Sequence, residues 1–140
     1  MTSFSAHPFG TEITSDNILE QMGNCRSWED KYRLVIQLGK KLPAMSDELK
    51  AQSIPVTGCE SKVWLSMQEK EHRFYFSADS DARIVKGLLT IILAAVEGRS
   101  REEIQSFHFD EYFKSMDLMN HLSESRSNGI YSIIEQLRTI

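Results

Sequence analysis

The strongest nucleophiles this chain can offer are its two cysteines, Cys25 and Cys59. Cys59 sits in the run Ser-Ile-Pro-Val-Thr-Gly-Cys-Glu-Ser-Lys-Val-Trp, directly after Gly58 and before Glu60 and Ser61. Gly58 tolerates unusual backbone dihedrals, so it can present the next side chain at the tip of a loop. Sulfur reacts as the thiolate, which needs a nearby cation or hydrogen-bond donors, and Lys62 is the nearest cation downstream in the chain. Local chemistry leaves two readings of Cys59 open: a small apolar residue at a strand end, or a thiol held out for reaction. Cys25, after Asn24 in a link between two helices, reads as inert packing.

Other residues have similarly paired readings. Arg126 falls at the start of a helix, where the dipole disfavours positive charge; it is either a solvated arginine or one half of a bidentate pair with a carboxylate. Asp79 and Asp81 are helix caps or partner groups. Trp64 lies on the strand face opposite Val63 and Leu65, either packed under another element or facing a partner as an anchor.

Several chemistries are disfavoured. The four histidines (His7, His72, His108, His121) are scattered, and no CxxC or HExxH pattern occurs, so no metal site is expected. Neither GxGxxG nor GxxxxGK[ST] is present among the seven dispersed glycines, and no GxSxG elbow is found. A net charge of −4 without a basic, aromatic-interleaved run argues against nucleic acid. The most apolar segment, Gly87 to Val96, is about half the length needed to span a bilayer, so no membrane partner is expected. The N-terminus lacks a basic region followed by an apolar stretch; the expectation is a cytoplasmic protein with both thiols free.

The elements that must position these residues follow from periodicity. Residues 1–14 show none and read as an N-terminal arm, leaving 15–140 as one domain. Ser15 or Asp16 can cap a short helix ending at Gly23-Asn24. Ser27 caps a second helix with Trp28, Tyr32, Val35, Ile36 and Leu42 on one stripe, stopped by Pro43, and a helical piece over Asp47 to Gln52 follows. Val63-Leu65-Met67 and Phe74-Phe76 alternate with polar residues across the turn Glu69 to His72, giving an antiparallel hairpin. Ile54 to Thr57 supplies a third strand, which Pro55 makes short or peripheral. Asp79-Ser80-Asp81 caps a helix from about Ala82 to Val96 that is apolar on nearly every face and therefore central. Ser100 caps a short helix, Phe109 to Met116 forms another, and Ile130, Ile133, Ile134 and Leu137 mark a C-terminal helix after the polar stretch 123–129. The fold class is α+β: a small antiparallel sheet of about three strands covered by helices.

These blocks also carry a resemblance. Gly58 to Trp64 resembles the cysteine-loop motif of the SufE-type sulfur acceptor family. Asp79-Ser80-Asp81 with Ile84 to Leu88, Leu122-Ser123 with Ser125-Arg126 and Gly129, and Trp28 to Tyr32 with Leu38-Gly39 and Leu42-Pro43 are similar to three further family blocks, in order. His7 to Thr11 and Asp47 to Gln52 look like the CsdE branch. The resemblance implies the fold of the IscU scaffold proteins. It also implies that Cys59 accepts persulfide sulfur from a pyridoxal-phosphate cysteine desulfurase, stimulates that enzyme, and passes sulfur to a downstream acceptor, usually toward iron–sulfur cluster assembly. No cofactor would be held by this chain, and the desulfurase would carry the pyridoxal phosphate. Gly58, Glu60 and Ser61 would form the cysteine loop; Asp79, Arg126 and Trp64 would contact the partner or anchor the loop. Two alternatives differ in class. An IscU-like scaffold needs about three converging cysteines, and this chain has one at the right place plus the distant Cys25. A stand-alone thiol enzyme needs a histidine that the sequence does not place near Cys59.

Overall fold

A computed structural model describes residues 7–55 and 62–140, the side chains of Ile54, Pro55, Met119, Ser125 and Arg126 excepted. In chain order the elements are α1 (Ser15–Gly23), α2 (Trp28–Lys40), α3 (Asp47–Gln52), β1 (Ile54–Pro55), β2 (Val63–Lys70), β3 (Arg73–Ser80), α4 (Arg83–Val96), α5 (Arg101–Ser106), α6 (Phe109–Met116), a 3-10 turn (Met119–His121) and α7 (Glu124–Arg138). The α+β class expected from periodicity holds.

The sheet is antiparallel with strand order β1-β2-β3. Leu65 pairs with Ala78 and Met67 with Phe76, so the apolar residues of both long strands share one face. Phe74, Phe76, Ala78, Val63 and Leu65 are buried there, against α4. The hairpin closes on the two residues Glu71 and His72, both at positive φ (52° and 67°), between the pair Lys70 and Arg73. Paired positive φ values match the right-handed twist of the flanking strands, and the expected polar turn is thereby tighter than its four residues suggested.

Helix α4 is the centre of the molecule, with every residue from Gly87 to Val96 buried. Its one polar member there, Thr90, donates to the Gly87 carbonyl at 2.6 Å, which removes the cost of burying a hydroxyl. Helix α2 crosses α4 at Gly39 and Gly87; a Cβ on Gly87 would overlap the Val35 carbonyl oxygen. This close crossing selects the face that α2 buries. Val35, Leu38, Gly39 and Leu42 are buried, whereas Tyr32, expected on the buried stripe, is 42% exposed.

Two capping expectations are corrected. The N-cap of α1 is Thr14, which exchanges bonds with Asn17 in a capping box, rather than Ser15 or Asp16. The carboxylates of Asp79 and Asp81 do not cap α4: its N-cap is Ala82, with no side-chain cap bond, because both carboxylates are engaged elsewhere. Helix α7 begins at Glu124, so most of the polar stretch 123–129 is its first two turns. Within the N-terminal stretch read as an arm, Phe9 is fully buried in the core.

Candidate functional site

Cys59, Gly58, Glu60 and Ser61 lie outside the described residues, as do Val56 and Thr57 of the expected third strand. The frame on either side of them is described. On one side, Pro55 pairs with Trp64 and Ile54 with Leu65 in the β1–β2 ladder. A proline on this outer strand forfeits no ladder bond from its missing N–H if that position faces away from β2. On the other side, Lys62 is held from three directions. Its N–H donates to Asp81 Oδ1 at 3.0 Å, and its carbonyl accepts from Ser80 Oγ at 2.8 Å and from the Asp81 N–H at 3.3 Å. Ser80 Oγ also accepts from the Ala82 N–H at 3.2 Å. One short turn between β3 and α4 therefore serves two tasks: it starts the central helix and fixes the residue at which the chain re-enters the sheet.

Asp79 lies directly across the ladder from Trp64. It is 5% exposed and has four partners. Oδ2 accepts from the Met45 N–H at 2.9 Å, and Oδ1 accepts from the Ser80 N–H at 2.8 Å. Lys86 Nζ lies 3.3 Å from Oδ1 and Lys50 Nζ 3.9 Å from Oδ2. Two backbone donors and two ammonium groups around one carboxylate are what a buried charge requires. Lys50 also sits over the Trp64 ring, 4.2 Å from its centroid, within cation–π range. Asp79, Trp64, Lys50 and Lys86 thus join β2, β3, α3, α4 and the α2–α3 link at one point.

Of the predicted residues, the structure brings Asp79 and Trp64 together. Arg126 is placed by its backbone in the first turn of α7, and its side chain lies outside the described residues. Lys50, Lys86, Lys62 and Ser80 belong to the same frame; from the sequence, Lys62 stood out only as the cation nearest to Cys59 and Ser80 only as part of a helix cap. Lys86, one turn into a helix that follows an aspartate-rich cap, carries a weak local signal; Lys50 carries none, since only the tertiary fold sets α3 against β2.

Cys25 is described, and its setting suits a resting thiol. Its Sγ donates to the Gln21 carbonyl at 3.4 Å at the end of α1. Burial and the neighbouring Asp30 carboxylate push its pKa up, with Lys31 opposing. Less thiolate means a poorer nucleophile. Among the described residues, no group of three or more histidine, cysteine or carboxylate side chains is gathered that could hold a metal ion. Among them also, no helix is long and apolar enough to cross a membrane.

Comparison with known proteins places these features in a lineage. Residues 16–140 match the SufE family, described as an Fe-S metabolism associated domain. The chain is 43% identical over 135 residues to the sulfur acceptor protein CsdE of Escherichia coli K12, covering 96% of this chain and 92% of that protein. It is 40% identical over 124 residues to an uncharacterized SufE-like protein of Haemophilus influenzae, covering 88% of this chain and 98% of the relative. The solution structure of a hypothetical protein from Thermus thermophilus has the same fold: TM-score 0.72, 14% identity, 89% of this chain and 90% of that one.

Proposed function

The chain belongs to the SufE family, and from that premise we propose that it is a sulfur acceptor whose accepting atom is the Cys59 sulfur. The observation that carries this reading is the 43% identity, over nearly the whole chain, to a protein named for sulfur acceptance. The setting of Cys25 supports the choice between the two thiols, because its raised pKa and its bond to Gln21 make it a poor nucleophile.

The chemistry is a thiol–persulfide exchange. The Cys59 thiolate attacks the outer sulfur of a persulfide carried by a cysteine desulfurase. A bond forms between Cys59 sulfur and that outer sulfur as the donor's S–S bond breaks, and the donor cysteine leaves as a thiolate. One proton and one sulfur atom end on Cys59, the oxidation level of the pair is conserved, and no external oxidant or reductant is required. The pyridoxal phosphate that generates the donor persulfide belongs to the desulfurase, and this chain holds no cofactor in the reaction. A second exchange passes the sulfur to a downstream acceptor, in this reading a protein of iron–sulfur cluster assembly. The reducing cytoplasm keeps Cys59 available as a thiol between transfers.

Within this reading the frame around Lys62 and Asp79 has a positioning task. It fixes the residue at which the chain re-enters the sheet after the cysteine loop, and positioning a reacting group at a docked partner raises its effective concentration. Arg126 is assigned to partner contact on the α7 first turn.

Single-turnover transfer tests the proposal. The protein is incubated with a cysteine desulfurase and cysteine, and its peptides are examined by mass spectrometry. The expected result is one added sulfur atom on Cys59, lost in Cys59→Ser and retained in Cys25→Ser. Sulfur found on Cys25, or undiminished uptake by Cys59→Ser, overturns it. Arg126→Ala is expected to weaken stimulation of the desulfurase, and wild-type stimulation by that variant removes Arg126 from the interface.

A further inference from the structure

The sheet has two outer edges, and the structure treats them differently. On one side is β1, which among the described residues has two, one of them a proline without an N–H. The other edge is β3, eight residues long, and such an edge ordinarily templates pairing with another chain. At Phe74 its outward backbone groups are met by backbone: the N–H donates to the Arg99 carbonyl at 2.9 Å and the carbonyl accepts from the Gly98 N–H at 2.7 Å. At Phe76, two residues on, they are met by side chains. The Phe76 N–H donates to Glu97 Oε1 at 2.7 Å, and the Phe76 carbonyl accepts from His7 Nε2 at 3.2 Å. The ring closes because His7 Nε2 lies 3.0 Å from Glu97 Oε2. The two side chains together reproduce what one residue of a neighbouring strand would supply: an acceptor for the N–H and a donor for the carbonyl.

The surrounding chain is shaped to hold this ring. The His7 side chain is 3% exposed and that of Glu97 15%, so the pair is largely withdrawn from water. Phe9 is fully buried and anchors the segment to the core, while its N–H donates to His7 Nδ1 at 3.2 Å and orients the imidazole. Gly10, at φ +87°, lies so close to Glu97 that a Cβ there would approach the Glu97 Cβ to 2.7 Å. Gly98, at φ +72°, turns the chain after Glu97 back toward Phe74.

We propose that residues 7–13 are an edge guard, in which the His7–Glu97 clasp occupies the Phe76 backbone groups that would otherwise pair with β3 of a second copy of this chain. The occupant is a second copy because an antiparallel strand edge is self-complementary under a two-fold axis: the N–H and carbonyl freed on one copy meet the same pair on the other. Among the described residues β1 presents only two positions, one of them a proline, against eight on β3. The guard keeps the chains apart, and the inference stands independently of the sulfur-acceptor reading.

The test uses the full chain and two variants, Glu97→Ala and His7→Ala. Amide hydrogen exchange at Phe76 is read with sedimentation velocity across a concentration series, and mixed samples of differently labelled copies are searched for intermolecular β3–β3 NOEs. In the wild type, the Phe76 amide is expected to be protected and no β3–β3 NOE to appear at any concentration. In Glu97→Ala, protection at Phe76 is expected to fall by about tenfold or more at low concentration and to return as dimers with β3–β3 NOEs form. His7→Ala, which frees only the carbonyl, is expected to dimerise through the same edge, and His7→Gln, whose side-chain amide can donate to that carbonyl, to dimerise less than His7→Ala. Folded variants that stay monomeric over the same range, or that associate without β3–β3 NOEs, overturn the proposal. So does an unprotected Phe76 amide in the wild type. If Glu97→Ala does not fold, His7→Ala decides by the same two readouts.

Discussion

Asp79 shows how one side chain can hold several elements. Its carboxylate takes the Met45 N–H, its own neighbour's N–H, and the ammonium groups of Lys86 and Lys50. Asp79→Ala removes the acceptor of two backbone donors, the Met45 and Ser80 N–H groups, and leaves two lysines, each about a quarter exposed, without their counter-charge. Water reaching those lysines softens the loss, so a destabilisation of about 2–3 kcal/mol is expected, read as a lower urea midpoint at unchanged slope. Asp79→Asn keeps one acceptor oxygen and is expected to lose about half as much. If both variants unfold with the wild type, the carboxylate is dispensable to the fold and its role is confined to the partner. From sequence, Asp79 was conspicuous as a cap candidate and, through the family resemblance, as a partner or loop-anchoring group. The true partners come from positions 45, 50 and 86, and no local spacing links the first two to it.

Among the elements, the α2–α4 crossing has the least room. Gly87 packs against the Val35 backbone and Gly39 against the Gly87 backbone, where a Cβ on Gly39 would come within 2.9 Å of the Gly87 nitrogen. Gly87→Ala must push the two helices apart across a core they share, and is expected to cost about 3 kcal/mol or more. Gly23 is the contrasting case, since it ends α1 and a Cβ there meets nothing within 4 Å. Gly23→Ala is expected to raise stability by about 0.5 kcal/mol through helix propensity and a less flexible unfolded chain. Thermal midpoints of the two variants should move in opposite directions. The hairpin offers a third case: His72 holds φ 67° without being glycine. His72→Gly is expected to gain up to about 1 kcal/mol by relieving that conformation, measured by the same thermal midpoint.

Across the whole molecule, the N-terminal segment, β3 and the end of α4 converge on His7 and Glu97, and this tie responds to pH. Burial works against a charged imidazole, but the hydrogen bond and charge of Glu97, with the Phe76 carbonyl, carry the His7 pKa above the usual value of 6.5. The Phe9 N–H on Nδ1 favours the neutral ring, yet a neutral bond at 3.2 Å yields to a charge-assisted contact at 3.0 Å. A group whose pKa is raised by folding stabilises fully below its unfolded value, and that contribution is lost as pH rises through the folded one. Wild type should therefore exceed His7→Gln in stability by more at about pH 6 than at about pH 8.5. A gap that is constant or widens with pH would reverse the assignment.

The same scale shows what the sequence could tell. Element types and order were legible because the two-residue alternation of β2 and β3 and the continuous apolar run of α4 are strong, local signals. The boundaries of α3 and α6 also matched: α3 opens after the capping Ser46, and α6 opens at Phe109 with no side-chain cap. The anchoring of the N-terminal segment was not legible: Phe9, set between His7-Pro8 and Gly10-Thr11, belongs to no period, and its burial depends on a cavity built by distant elements. The frame around Lys62 was half legible, with Ser80 and Asp81 conspicuous as polar residues but pointed, in the fold, back toward β2.

The contact between Lys50 and Trp64 has a practical consequence. The chain has two tryptophans: Trp64 lies beneath an ammonium group at the frame, and Trp28 is stacked on His121 with ring centroids 4.7 Å apart. Their emission is therefore governed by different neighbours in different parts of the molecule. In Trp28→Phe the remaining fluorescence comes from Trp64 alone, making that variant its own optical sensor for whatever docks at the frame around Asp79 and Lys62, with no dye attached to the thiol under study.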